Sequence, residues 1–299
     1  MSDFTKSDEQ QEKLDREEFQ VGGVDRKLTP EQQLEQLATY LYAHYDLPDK
    51  NPPWSENPSD PLAADTFDAR LPDRITHSAM LMLGAGLDHS MPGVAFPGNT
   101  TVTEVPELKA QLFTPSQPTG AWAISLHPGG WWKGAGVALD NAWRPEVAGV
   151  AELSGVTILD LDYPLVPEHS LPEVIAAVTT AADWARSQGA TWLGAWGYSS
   201  GGALAVLSSK LFDALALTFP HLDLSMLPDD VRQGVDFPTE LPPTLIQVAT
   251  YDTIAERYLW AEDQAEVKQY VSEHRISTPE VARQRVKDVA EYLAAQAAG

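Results

Sequence analysis

Ser199 stands in the run Gly197-Tyr198-Ser199-Ser200-Gly201. A serine hydroxyl is a poor nucleophile until a neighbouring imidazole takes its proton, so the setting of this serine decides whether it can react. A β-rich run, 191–196, precedes it, and a helical pattern over 201–212 follows. Those flanks put Ser199 on a sharp turn between strand and helix. The glycines leave room for the turn, and the helix N-terminus offers unpaired N–H groups and a partial positive charge to a developing oxyanion. Ser200 lies one residue past the turn, where its backbone N–H is the useful group.

A second segment supplies candidate donors. Leu126-His127-Pro128-Gly129-Gly130-Trp131-Trp132 directly follows the apolar run 121–126, AWAISL. Acyl transfer needs backbone N–H groups aimed at the oxygen that turns negative in the tetrahedral intermediate. Pro128 has none, which leaves Gly129 and Gly130, joined by Ser200; a plain Pro-Gly turn is the alternative. Trp131 and Trp132 suit either an acyl or alcohol pocket or the core, and Tyr198 is a further pocket candidate. His127 fits a loop brace better than a base.

The order serine, acid, histidine organises the rest. After Ser199 only His221 and His274 occur. His221 follows the run 214–219 too early to come after an acid. His274 lies beyond the run 244–250, with Asp252 at that run's C-terminal end, where such folds gather their chemistry. The stretch TIAERYLWAEDQ leaves room for only a short helix before AEVKQYV. Glu256 and Asp263 therefore stay open as displaced acids. Asp252 can instead be a helix cap, and His274 an exposed loop residue. Asp223 reads as the end of a strand.

The elements that must position these groups fall into two parts. Strand-like runs at 100–105, 108–114, 121–126, 156–162, 191–196, 214–219, 244–250 and 266–271 alternate, in the later part, with helical patterns near 139–154, 172–187, 201–212 and 279–296. Such alternation predicts an α/β fold with a mostly parallel eight-stranded sheet flanked by helices. The first two runs are close enough to form a hairpin. Ahead of them, Thr29-Pro30-Glu31-Gln32 is a helix start, with Leu34, Leu37 and Leu41 at helical spacing to about Tyr45. Residues 51–61 read as a Pro-rich break and 77–87 as a second helix. The expected division is a polar arm over 1–28, an N-terminal helical cap segment over 29–95 and a catalytic domain over 96–299.

Composition narrows the partners. The 299 residues carry 43 acidic and 20 basic side chains, a formal net charge of −23. That field repels phosphate backbones and anionic lipid heads, which argues against nucleic acid and acidic membranes. The absence of cysteine removes disulfides, thiolate metal sites and cysteine nucleophiles. The seven histidines are scattered, so no metal is expected. The start MSDFTKSDEQQEKLDREEFQ has no apolar signal core, and no window approaches about eighteen uninterrupted apolar residues. The expectation is a cytoplasmic protein without membrane insertion.

Together these motifs resemble the hormone-sensitive-lipase family of α/β-hydrolases. The donor loop and the serine turn are joined by Asp162-Tyr163-Pro164-Leu165-Val166-Pro167-Glu168-His169, which is similar to that family's Asp-Tyr-x-Leu-x-Pro-Glu-His signature. The resemblance spans about residues 100–298. It implies an α/β-hydrolase fold, an N-terminal helical cap over the site, and esterase activity on a small-molecule acyl ester without metal or organic cofactor. Asp252 matches the family's acid position and His274 its histidine loop; Glu168 and His169 are expected to order their loop. Three departures stand out: Pro128 in place of a glycine, and Tyr198 and Ser200 in place of the usual Asp and Ala. An amidase such as an arylformamidase, or a non-catalytic small-molecule-binding homologue, are the alternatives.

Overall fold

A computed structural model describes residues 28–84, 87–91 and 98–299. The polar arm expected over 1–28 lies, but for Leu28, outside the described residues. Eight strands, β1 (Thr101–Val105), β2 (Ala110–Thr114), β3 (Trp122–Leu126), β4 (Thr157–Leu161), β5 (Leu193–Tyr198), β6 (Ala214–Thr218), β7 (Thr244–Ala249) and β8 (Glu266–Tyr270), form one sheet in the order β1-β2-β4-β3-β5-β6-β7-β8. The β1–β2 hairpin and the β2–β4 pair are antiparallel, and every later pairing is parallel.

Period-two alternation divides the central strands between two cores. Ile124, Leu126, Leu159, Leu161, Leu215 and Leu217 enter one core, with the helix Leu171–Ser187 and the helix Ser200–Leu207. Ala123, Ile158, Trp196, Ala214 and Ala216 enter the other, with the helices Arg144–Ser154 and Pro279–Ala298. Strands covered on both faces read as continuous apolar runs, and β4 and β6 are buried along their whole length.

The N-terminal part differs from the sequence reading in two respects. The helix Pro30–His44 has the expected Thr29–Gln32 capping box. The second expected helix is instead Leu71–Leu83, and a further helix, Pro61–Ala69, starts at the last residue of the Pro-rich break, which is non-helical over 51–60. Proline breaks a helix only in its interior; at the first turn its missing N–H has no intrahelical partner to lose. Pro61 sits there, with Asp60 accepting from the Leu62 N–H at 2.9 Å. Pro72 starts the next helix the same way. Asp223, read as a strand end, lies in a loop, because β6 stops at Thr218. Among the described residues no helix is long and apolar enough to cross a membrane.

These N-terminal helices share a third core. Leu34, Leu37, Leu41, Phe67, Ile75 and Leu83 pack together and against Ile276 and Ala282 of the C-terminal part. Leu37 is fully buried there. Leu37→Ala should lower the unfolding free energy by roughly 2–5 kcal/mol in urea denaturation; a loss below about 1 kcal/mol would mean that this cluster is loosely packed.

Candidate active site

The turn between β5 and the helix Ser200–Leu207 holds Ser199 at φ 55°, ψ −117°, a conformation a non-glycine residue seldom adopts. Its N–H donates to the Thr218 carbonyl at 3.0 Å, and its own carbonyl accepts from Ala203 at 3.1 Å and His221 at 3.2 Å. Neighbouring backbone leaves no room for larger residues: a Cβ on Gly201 would lie 2.1 Å from the Leu126 carbonyl oxygen, and one on Gly197 2.2 Å from that of Gly201.

His274 Nε2 lies 2.9 Å from Ser199 Oγ, and Nδ1 lies 2.7 Å from Asp252 Oδ2. The other carboxylate oxygen of Asp252 accepts from the N–H groups of Ile254 at 2.7 Å and Ala255 at 2.8 Å. Burial alone raises the Asp252 carboxyl, but the hydrogen bonds from His274, Ala255 and Ile254 outweigh it and hold it below the usual carboxylate range. Burial dominates at His274 and pushes the imidazole below its ordinary value, against the pull of Asp252.

The short interval between Asp252 and His274 is bridged by strand register. Parallel pairing sets Ala249 opposite Tyr270, and it continues as Thr250 N–H to Tyr270 O at 2.9 Å and Tyr251 N–H to Ser272 O at 3.0 Å. The two chains leave the sheet side by side, so one helical turn, Leu259–Glu262, suffices as the connection. Glu256 and Asp263 are not brought to His274: Glu256 lines a small separate cavity with Asp252, and Asp263 follows the one-turn helix.

The loop after β3 carries left-handed backbone at Gly130 (φ 63°) and Trp131 (φ 78°), and Gly129 at φ 152°. A Cβ on Gly129 would sit 1.7 Å from the Lys133 carbonyl oxygen. His127 Nδ1 lies 2.8 Å from the Pro128 carbonyl, its ring stacks on Tyr163 at 4.1 Å, and the Tyr163 hydroxyl donates to the His127 carbonyl at 2.7 Å. Burial pushes the His127 imidazole down to about 4. The Val166 N–H donates to the Trp131 carbonyl at 3.1 Å, which ties this loop to the Asp162–His169 segment. Glu168 and His169 are exposed. Beneath both segments, buried Asp160 accepts from Ser125 Oγ at 2.6 Å, Trp143 Nε1 at 2.8 Å and Arg144 Nε at 3.0 Å.

One cavity of about 280 Å³ brings together Ser199, His274, Gly129, Gly130, Trp131, Trp132 and Tyr198. Ser200 is buried outside this lining, as the first residue of the helix after Ser199. Trp131 also belongs to the core. The Tyr198 hydroxyl donates to the His274 carbonyl. Its ring meets Phe219 edge-on at 5.6 Å, and the Arg285 guanidinium lies 5.3 Å from its centroid. His221, Phe219, Met91, Lys50, Asp68 and Arg275 also line the cavity; of these His221 stands in the sequence too early to be the base, Phe219 ends the run 214–219, Arg275 adjoins His274, and Met91, Lys50 and Asp68 carry no sequence signal. Among the described residues no group of three or more His, Cys, Asp or Glu side chains could hold a metal ion.

The family profile of the alpha/beta hydrolase fold matches residues 123–237, which contain all three motifs. The structure of EstE5, soaked with ethyl alcohol, is 18% identical, with 91% of this chain and 100% of that chain covered at a TM-score of 0.63. An esterase/lipase from an uncultured bacterium is 17% identical, with 91% and 100% covered and a TM-score of 0.61. The hyperthermophilic esterase of the archaeon Pyrobaculum calidifontis is 18% identical, with 80% and 95% covered and a TM-score of 0.58. At such identities the likeness shows the fold. Among curated proteins no sequence matches the chain. Together the family model and these structures show an α/β-hydrolase fold in this chain, as the motifs implied.

The two loop glycines should respond differently to alanine. At Gly130 the nearest atom to an added Cβ is Trp132 Nε1 at 3.5 Å, so Gly130→Ala should cost only the left-handed backbone strain, roughly 1–2 kcal/mol. Gly129→Ala forces main chain apart and should cost more. Thermal unfolding of the two variants checks this; equal losses would contradict the crowding at Gly129.

Proposed function

We propose that the protein is a carboxylesterase acting on small acyl esters through an acyl-enzyme. The observation that carries this reading is the hydrogen-bonded chain from Ser199 through His274 to Asp252, with Ser199 and His274 lining the cavity. Ser199 Oγ attacks the carbonyl carbon while His274 Nε2 takes its proton. The tetrahedral oxyanion is met by the N–H groups of Gly129, Gly130 and Ser200. His274 returns the proton to the departing alkoxide, leaving the acyl group on Ser199. Water, deprotonated by His274, then releases the acid and restores the serine. Asp252 holds the Nδ1–H tautomer and stabilises the imidazolium.

In this reading Trp131, Trp132 and Tyr198 shape the pocket, Tyr198 also steadying the histidine loop through its hydroxyl. Residues 29–95 act as the cap and 96–299 as the catalytic domain. The aligned serine, imidazole and carboxylate favour catalysis over a binding-only role, and the esterases among the similar folds favour esters over amides.

Ser199→Ala should abolish turnover of short esters while far-UV circular dichroism and melting stay near wild type; undiminished activity would remove the mechanism. Asp252→Asn should lose on the order of 10⁴-fold in kcat, as a misdirected tautomer does in other triads, whereas Glu256→Gln and Asp263→Asn should be mild. Neutral His274 is the base, so kcat/KM falls on the acid side. Because burial lowers its pKa, the transition should lie below about 6.5, the reference imidazole value. A transition above that value would contradict the burial of the ring.

A further inference from the structure

The cavity that holds Ser199 is also lined by Lys50, Asp68, Lys133 and Arg275. These come from separate parts of the chain. Lys50 precedes the helix Pro61–Ala69, Asp68 lies on it, Lys133 ends the glycine loop, and Arg275 follows His274. Asp68 is shared: one oxygen pairs with Lys50 at 2.6 Å, and the other with Lys133. Burial raises the Asp68 carboxyl, yet Lys133, Lys50 and Arg275 outweigh it and hold it at about 2. Lys50 is pushed down to about 7, by burial first and by Arg275 next. A single lining carboxylate thus answers three cations.

Other acids nearby are already engaged. Asp65, which also faces Lys133, lies behind the wall and accepts from the Ala138 N–H at 3.2 Å. Glu146 pairs with Arg285. Asp223 accepts from the Ser225 N–H at 2.7 Å and hydroxyl at 2.9 Å. Arg275 is half-buried and makes no hydrogen bond or ion pair within the described residues. Four basic and three acidic side chains line the cavity, in a chain of net charge −23.

A partly desolvated cation without a partner is costly, and a ligand anion relieves that cost. We propose that the cavity selects esters that also carry a free carboxylate, bound by Arg275 with Lys133 and Lys50 beside it; this rests on the esterase reading of Ser199. Arg275 is the lining cation without a partner among the described residues, and its planar guanidinium matches a carboxylate in a two-point grip. Arg275 adjoins His274 in the chain, so its main chain is fixed next to the reacting centre. Trp54, Leu71, Ile75 and Met91 supply apolar wall for a hydrocarbon spacer between the two polar ends.

The test measures binding separately from turnover. Ser199→Ala protein is titrated calorimetrically with two matched pairs. Monomethyl adipate against methyl hexanoate places the charge on the acyl side. 5-Acetoxypentanoate against pentyl acetate places it on the alcohol side. In at least one pair the anionic ester should bind roughly 10-fold tighter or more. Adding Arg275→Gln should bring that ratio close to one, while Arg275→Lys, which keeps the charge but not the two-point grip, should retain only part of it. Equal affinities in both pairs, no measurable binding of either anion, or a preference that survives Arg275→Gln would overturn the proposal. Wild-type turnover of the same four esters, followed by proton release, is the separate arm. Failure to hydrolyse any of them contradicts the esterase reading, whereas an Arg275-dependent binding preference would still stand as an anion site.

Discussion

Everything at the site depends on Ser199 being held in a backbone conformation it would not choose. Holding a non-glycine residue at φ 55° costs on the order of 1–3 kcal/mol, and the surrounding structure over-determines it. The Thr218 carbonyl fixes the serine N–H, the next helix begins immediately, and Gly201 lies against the Leu126 carbonyl. That last contact joins the serine turn to the start of the glycine loop, so the proposed nucleophile and its proposed donors are placed by one close approach of two main chains. The strain lifts the hydroxyl out of the sheet and into the cavity.

The imidazole is placed by contacts from several directions. The β7–β8 register brings its strand exit beside Asp252. Tyr198, the neighbour of Ser199, grips the His274 carbonyl. The N-terminal helices hold the residues around it: Tyr42 donates to Glu273, and Ile276 enters their apolar cluster. A change in those helices therefore reaches the histidine through packing, and the same helices contribute Asp68 to the charged wall of the cavity. The proposed carboxylate site and the proposed base share one structural support.

What the sequence made legible follows from how local each feature is. The β–α alternation was readable because central strands such as β4 and β6 are short apolar runs bounded by turn residues. The serine turn and the glycine loop are continuous segments whose glycines mark close approaches. The helix Pro61–Ala69 escaped notice because its proline reads as a break unless the Asp60 cap beside it is weighed. Asp223 was misread as a strand end because apolar Leu222 and Leu224 beside it imitate a strand. The choice of Asp252 over Glu256 and Asp263 depends on pairing between β7 and β8, which no spacing rule contains. Tyr198 looked like a pocket residue and is also a brace, a role set by a carbonyl distant in sequence. The Lys50–Asp68–Lys133–Arg275 group is assembled from four separate stretches and leaves no motif.

The central claim is that Ser199 is a hydroxyl activated by His274, and covalent trapping tests it most directly. A fluorophosphonate reacts rapidly only with a serine whose proton has somewhere to go. Intact-mass analysis should show one adduct per chain, and peptide mapping should place it on Ser199 rather than Ser200. Ser199→Ala should remain unlabelled, and His274→Ala should label far more slowly. An adduct on another residue, or labelling of Ser199 that proceeds unchanged without His274, would contradict the account.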